Sequence, residues 1–216
     1  MNTNQTNKVA VLGTTSWGTT LAILLARNGI KVNLLARTES EAKALIDSGE
    51  NTRFTPGVTL PRSLIVTSSP KSAIENAQII VIAVPSNTIR ANIDRISSFI
   101  KPDAVLVSAT KGLEVKTGMR MTEVLFEELK NDWNGILCAL SGPNLAKEIL
   151  LGKPSTTVIA STSKREAKKI QDVFNSELFR VYTNDDIVGV ELGGALKNVF
   201  AIGAGICDGM KVGDNA

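Results

Sequence analysis

Lys8-Val9-Ala10-Val11-Leu12-Gly13-Thr14-Thr15-Ser16-Trp17-Gly18 is the stretch on which the reading of this chain turns. Lys8-Leu12 is β-like, and a glycine turn follows. A helical pattern then runs over Ser16-Asn28 and stops at Gly29, a usual residue for closing a helix. Strand, glycine turn and helix in that order are the setting of a dinucleotide fingerprint, G-x-G-x-x-G. Gly13 and Gly18 hold its first and third glycine positions, and Thr15 stands at the second. Backbone N–H groups at the helix start, with the helix dipole, favour a pyrophosphate there. Thr15 crowds the place where the backbone approaches the phosphates, although its hydroxyl can donate a hydrogen bond in return. By itself the hexapeptide reads equally as a plain strand-to-helix turn; the βαβ setting favours the cofactor.

Working outward, Lys31-Ala36, Leu64-Thr67, Ile79-Ala83, Ala104-Ala109, Ile136-Leu140 and Thr156-Ala160 read as strands, with Phe179-Tyr182 as an edge strand. Helical patterns cover Lys71-Asn76, Asn87-Ile100, Met119-Lys130 and Ser163-Asn175. Strands apolar on both faces and separated by helices predict a sheet covered on both sides. The expected fold is α/β, a Rossmann-like doubly wound and mainly parallel sheet over residues 1–184. From Asp185 the character changes. Ile187-Cys207 is apolar nearly all round and carries five glycines, the pattern of a helix packed in a core. It reads as the first helix of an all-helical second domain, 185–216.

Composition removes several functions. The chain contains no histidine, which excludes Ser-His-Asp and Cys-His nucleophiles and His-ligated metals. Its two cysteines, Cys138 and Cys207, are far apart, so neither a thiolate zinc site nor a disulfide framework is expected. Free thiols suit a reducing cytoplasm. The polar start, MNTNQTN, does not read as a signal peptide, and Gly13-Thr14-Thr15-Ser16 interrupts the longest uncharged run, so no membrane insertion is expected. With 24 basic against 21 acidic side chains and 4% aromatics, no nucleic-acid partner is expected either.

Without histidine, proton transfer near neutral pH falls to Lys, Asp/Glu, Tyr or Cys. The only tyrosine, Tyr182, has Asp186 rather than lysine four residues on. Lys111 follows the strand Ala104-Ala109, which puts it at the edge where ligands bind in such folds. Lys197 lies within the apolar segment, with Gly193 and Gly194 one turn before it, leaving room for a small ligand beside the ammonium. A lysine in a core needs a partner or a task, whereas one at a helix end snorkels to solvent. Arg37, nineteen residues past Gly18, stands near the place of the acidic residue of NAD-selective sites; its guanidinium suits the 2′-phosphate of NADPH without excluding NADH. Ser141-Gly142-Pro143-Asn144 offers backbone and amide donors before another helical start.

Taken together, Ser16-Trp17-Gly18-Thr19, Ala83-Val84-Pro85-Ser86, Ala109-Thr110-Lys111-Gly112-Leu113-Glu114, Ser141-Gly142-Pro143 with Ala146-Lys147-Glu148, Glu191-Leu192-Gly193-Gly194-Ala195-Leu196-Lys197-Asn198 and Gly213-Asp214-Asn215 resemble the bacterial-type NAD(P)-dependent glycerol-3-phosphate dehydrogenases. The resemblance implies hydride transfer between NADPH or NADH and dihydroxyacetone phosphate, giving sn-glycerol 3-phosphate for phospholipid synthesis. It implies Lys197 as proton donor and acceptor at the C2 oxygen, and Lys111 between cofactor and substrate. Gly142 and Asn144 would contact glycerol phosphate; Gly13, Ser16, Trp17, Gly18, Arg37 and Ala146 would line the cofactor. A homodimer is compatible with it. It also implies that the family's C-terminal third, with an Asp near the lysine and an Arg-Asn pair for the phosphate, is absent from this chain. Two other readings stay open: an inactive dinucleotide-binding module, and a related reductase of another small substrate.

Overall fold

The computed structural model describes residues 8–129 and 133–213. Eight strands form one sheet: β1 (Lys8–Leu12), β2 (Lys31–Leu35), β3 (Leu64–Thr67), β4 (Ile79–Ile82), β5 (Val105–Ser108), β6 (Leu137–Ser141), β7 (Ser155–Ala160) and β8 (Phe179–Asn184). Their order is β3-β2-β1-β4-β5-β6-β7-β8. The order reverses between β1 and β4, which opens a crevice at the carboxyl ends of the parallel strands. Alternate residues serve opposite faces. Val9, Val11, Ile79, Val81, Val105 and Val107 pack on one side with α1 (Ser16–Arg27) and α7 (Lys164–Phe174). Ala10, Leu12, Ile80, Ile82 and Leu106 pack on the other, under α3 (Pro70–Ile74), α4 (Ile89–Asp94) and α5 (Met121–Leu129). Both faces are covered, so every position of β4 is apolar and buried.

The mainly parallel, doubly wound sheet is as expected, and the details depart from it locally. β7 runs antiparallel to β6, and β8 follows β7. The helix between β6 and β7, α6 (Ala146–Leu150), has five residues and rises only about 7.5 Å, too little to carry the chain back along the sheet. The chain therefore re-enters from the edge it left. The single helix expected over Asn87-Ile100 is broken into α4 between 3-10 turns at Ser86–Thr88 and Ser97–Phe99. The Ile96 N–H reaches the carbonyl three residues back, which tightens the turn and buries Ile96. An additional helix, α2 (Glu39–Ser48), is capped by the Thr38 hydroxyl, which accepts from Glu41 N–H, and ends at Gly49 with φ of 65°. Lys130, placed in a helix from the sequence, lies outside the described residues.

The reversal of β7 and β8 decides where α8 (Ile187–Met210) begins. Asn184 pairs with Ala160, which is level with Ala139 on β6 and so with Ser108, the last residue of β5; α8 therefore starts beside the carboxyl ends of the strands. By Gly194 it has reached Ser141 at the end of β6. Beyond that it projects past the sheet edge. The expected core helix is therefore exposed along most of its length: Glu191 is its one buried residue, while Val199, Phe200 and Ile202 are 64%, 71% and 64% exposed. By length and hydropathy alone α8 is also long and apolar enough to cross a membrane.

Candidate active site

The glycine turn is fixed by close approach. Gly13 adopts φ of 110°, and a Cβ there would lie 2.6 Å from the Ala83 carbonyl oxygen; a Cβ on Gly18 would lie 2.1 Å from that of Gly13. Thr15 is different. Its φ of −65° is open to any residue, and its hydroxyl donates to the Ala83 carbonyl at 3.3 Å instead of pointing to a free ligand position. Thr15 makes no side-chain cap, which leaves the first N–H groups of α1 without a side-chain acceptor. From behind, buried Asn51 donates to the Thr14 carbonyl and to the Thr19 hydroxyl, both at 2.8 Å, and so pins the turn.

In front of that turn lies a cleft of about 350 Å³, lined among others by Ser16, Trp17, Pro85, Lys111, Asn144 and Ala146. Two buried polar atoms there have no protein partner, the Trp17 indole Nε1 and the Asn144 Oδ1. The indole donor beside bare helix N–H groups suits an anionic group such as a dinucleotide's phosphates, and the Asn144 oxygen suits a ligand hydroxyl. Asn144 is held in place by its Nδ2, which donates to the Thr156 carbonyl at 2.8 Å. A second cavity of about 500 Å³ opens on the other side of Gly13 and contains Arg37, Glu41, Arg53, Phe54 and Arg95. Glu41 accepts from the Thr14 hydroxyl and from the Arg37 backbone N–H, and the Arg53 guanidinium sits 4.9 Å from the Phe54 ring centre. Sequence reasoning found Arg37 and missed Glu41, Arg53 and Phe54. Their only signal was a cation beside an aromatic residue in a loop, with no spacing that ties it to the turn.

Lys111 opens a short hairpin. Gly112 follows with φ of 119° against the Ser86 hydroxyl, and Leu113 bridges Arg120. The hairpin is clamped from outside by Arg90 of α4, which meets Glu114 at 2.6 Å, Glu127 at 2.7 Å and Glu128 at 2.6 Å. Hydrogen bonds from Arg90 and then Thr117 hold the Glu114 carboxyl down to about 2. The Lys111 amine donates to the Gly142 carbonyl at 2.8 Å. Its pKa is lowered, first by burial of the amine end and then by the ammonium of Lys197. The two lysines are therefore close enough to repel each other. The expectation that Lys197 is enclosed in apolar surroundings is not met: its side chain is exposed, because α8 has passed the sheet edge at that point. Gly13, Ser16, Trp17, Gly18, Lys111, Gly142, Asn144, Ala146 and Lys197 thus gather at one edge, and Arg37 stands in the adjoining cavity.

A family model described as the N-terminus of NAD-dependent glycerol-3-phosphate dehydrogenase matches residues 8–167, and its C-terminal counterpart matches 186–216. This chain belongs to that family. It is 44% identical over 207 residues to the glycerol-3-phosphate dehydrogenase [NAD(P)+] of Moorella thermoacetica, covering 96% of this chain and 61% of the relative. To that of Corynebacterium glutamicum it is 47% identical, covering 96% and 62%. The chain thus spans about three-fifths of the length of the family relatives it matches. Among solved structures, glycerol-3-phosphate dehydrogenase from Coxiella burnetii superposes with a TM-score of 0.86 at 35% identity, covering 97% of this chain and 63% of that one. The Plasmodium falciparum enzyme gives 0.86 at 27%, covering 97% and 61%. The Rossmann-like sheet and the helix that opens the helical C-terminal part are features of the family structures as well.

Proposed function

We propose that the protein transfers hydride between NADH or NADPH and dihydroxyacetone phosphate, giving sn-glycerol 3-phosphate for phospholipid synthesis in the cytoplasm. The observation that carries this reading is the cleft that sets Lys111, its amine held by the Gly142 carbonyl, beside the glycine turn and Trp17, with Lys197 on α8 near enough for its charge to act on Lys111. NAD(P)H, when bound, supplies the hydride. The protein's own residues do the rest. The bare N–H groups of α1 and the close-packed Gly13 and Gly18 receive the pyrophosphate, and Trp17 Nε1 is a free donor beside it. Arg37, with Arg53 across the same cavity, gives that end the positive charge a 2′-phosphate calls for. Lys111, oriented by the Gly142 carbonyl, meets the triose phosphate, and the unpaired Asn144 Oδ1 accepts from a hydroxyl of the triose. Lys197 delivers a proton to the C2 oxygen. Two ammonium groups stabilise an oxygen that gains negative charge chiefly in the transition state, which is where stabilisation raises the rate.

The division into 1–184 and 185–216 is part of the same reading, supported by family matches that leave residues 168–185 between them. On it, α8 is the first helix of the substrate domain and not a membrane span. The test is oxidation of NADPH driven by dihydroxyacetone phosphate, followed by absorbance. Lys197→Met is expected to lower kcat by about 10²–10⁴-fold, the usual contribution of a positioned acid or base, while the dissociation constant for NADPH stays unchanged. Cofactor binding without turnover, and indifferent to Lys197→Met, would make the protein a dinucleotide-binding module instead.

A further inference from the structure

Glu191 is the one buried residue of α8, and it is an acid. An ionised carboxylate out of water is costly unless donors surround it. Here all of them come from the head of α5 and the residue before it. Arg120 Nη1 donates at 2.8 Å, the Thr122 backbone N–H at 2.9 Å, and the Thr122 hydroxyl completes the set. Arg120 is itself held by Glu123 at 2.7 Å. One turn along α8, Gly194 lies so close to β6 that a Cβ would stand 2.3 Å from the Ser141 hydroxyl. Lys197 comes one turn later. Residues three apart drift by about 60° around a helix, so fixing the directions of Glu191 and Gly194 fixes that of Lys197. The hairpin that begins with Lys111 ends at Arg120, bridged to Leu113. One strap of chain therefore presents one amine and grips the helix that presents the other.

We infer that Arg120 and Glu191 are positioning residues whose buried ion pair sets the rotation and tilt of α8 and so holds Lys197 opposite Lys111. Neither side chain lines the cleft or touches the amines; both act through α8. The inference rests on the functional reading above for its purpose, and its test reads the lysines directly.

Reductive methylation with labelled formaldehyde gives each lysine an NMR signal whose titration can be followed, and Lys111→Arg identifies that of Lys111. Lys197→Met removes the neighbouring charge outright and calibrates the rise in the Lys111 midpoint. Glu191→Gln and Arg120→Met are each expected to raise it by a similar amount, and Arg120→Lys to restore most of the original value. In turnover, Glu191→Gln is expected to lower kcat by up to about 10²-fold, the cost of an ångström-scale misplacement, with KM for NADPH unchanged because the glycine turn is untouched. Where a variant fails to fold, Thr122→Val removes a single donor and reads the same displacement on a smaller scale. A Lys111 midpoint that moves in Lys197→Met but not in Glu191→Gln, Arg120→Met or Thr122→Val overturns the positioning role and leaves the function standing. A midpoint indifferent to Lys197→Met overturns both.

Discussion

The glycines of the fingerprint are separable at the level of single atoms. Gly18 has no space for a side chain, since the obstacle 2.1 Å away is the backbone carbonyl of Gly13, which cannot swing aside. Gly18→Ala is accordingly expected to destabilise the protein by about 1–3 kcal/mol, the usual cost of overpacking, measured as a lower denaturant midpoint, and to weaken NADPH binding with it. Thr15 needs no such space. The missing second glycine looked like a defect in the one-dimensional pattern; the backbone there turns out to be ordinary, with the hydroxyl tied to Ala83. Lys111 was legible because a residue just after a parallel strand must lie at the ligand edge. The exposure of Lys197 was not legible, since helical periodicity says which residues share a face and nothing about where the supporting sheet stops.

Among elements, the hairpin from Lys111 to Arg120 is the one whose rigidity has a pH signature. Glu114 falls from an ordinary 4.5 in an unfolded chain to about 2 when gripped by Arg90. A depressed carboxylate contributes stability that is fully present above its unfolded value and is lost as pH falls through its folded value. Amide exchange at Gly118, whose N–H is bonded to the Glu114 carbonyl, should therefore quicken as pH drops from about 4.5 to about 2, beyond the intrinsic change in exchange chemistry. Arg90→Met should remove that extra dependence. An unaltered profile in the variant would mean that the clamp does not hold the hairpin. The sequence showed none of this. Ion pairs between residues scattered along the chain produce no alternation to read, and Arg90 lies 24 positions from Glu114. Strands such as Ile79–Ile82 were plain by contrast, because burial on both faces leaves an unbroken apolar run.

For the molecule as a whole, the doubly wound sheet could be read in advance because strand and helix signals alternate along the chain. The turnabout of β7 could not, since it depends on the shortness of α6 and not on the residues of β7. Cys138 reports on the integrity of this sheet. It sits in β6, and burial pushes its thiol up to about 11. Thiolate is the reactive form, so alkylation of Cys138 near neutral pH should proceed only through opening of the sheet and track global unfolding across a denaturant series. Modification at a rate independent of denaturant would show a local route to β6.

Sixteen residues of α8 follow Gly194, a rod of about 24 Å that, among the described residues, is fastened at its root. Such a cantilever turns a small angular swing at the anchorage into a displacement that grows towards the tip, and a load applied near Met210 is felt back at Lys197. Whatever clasps the free length of this lever therefore also trims the spacing of the two amines.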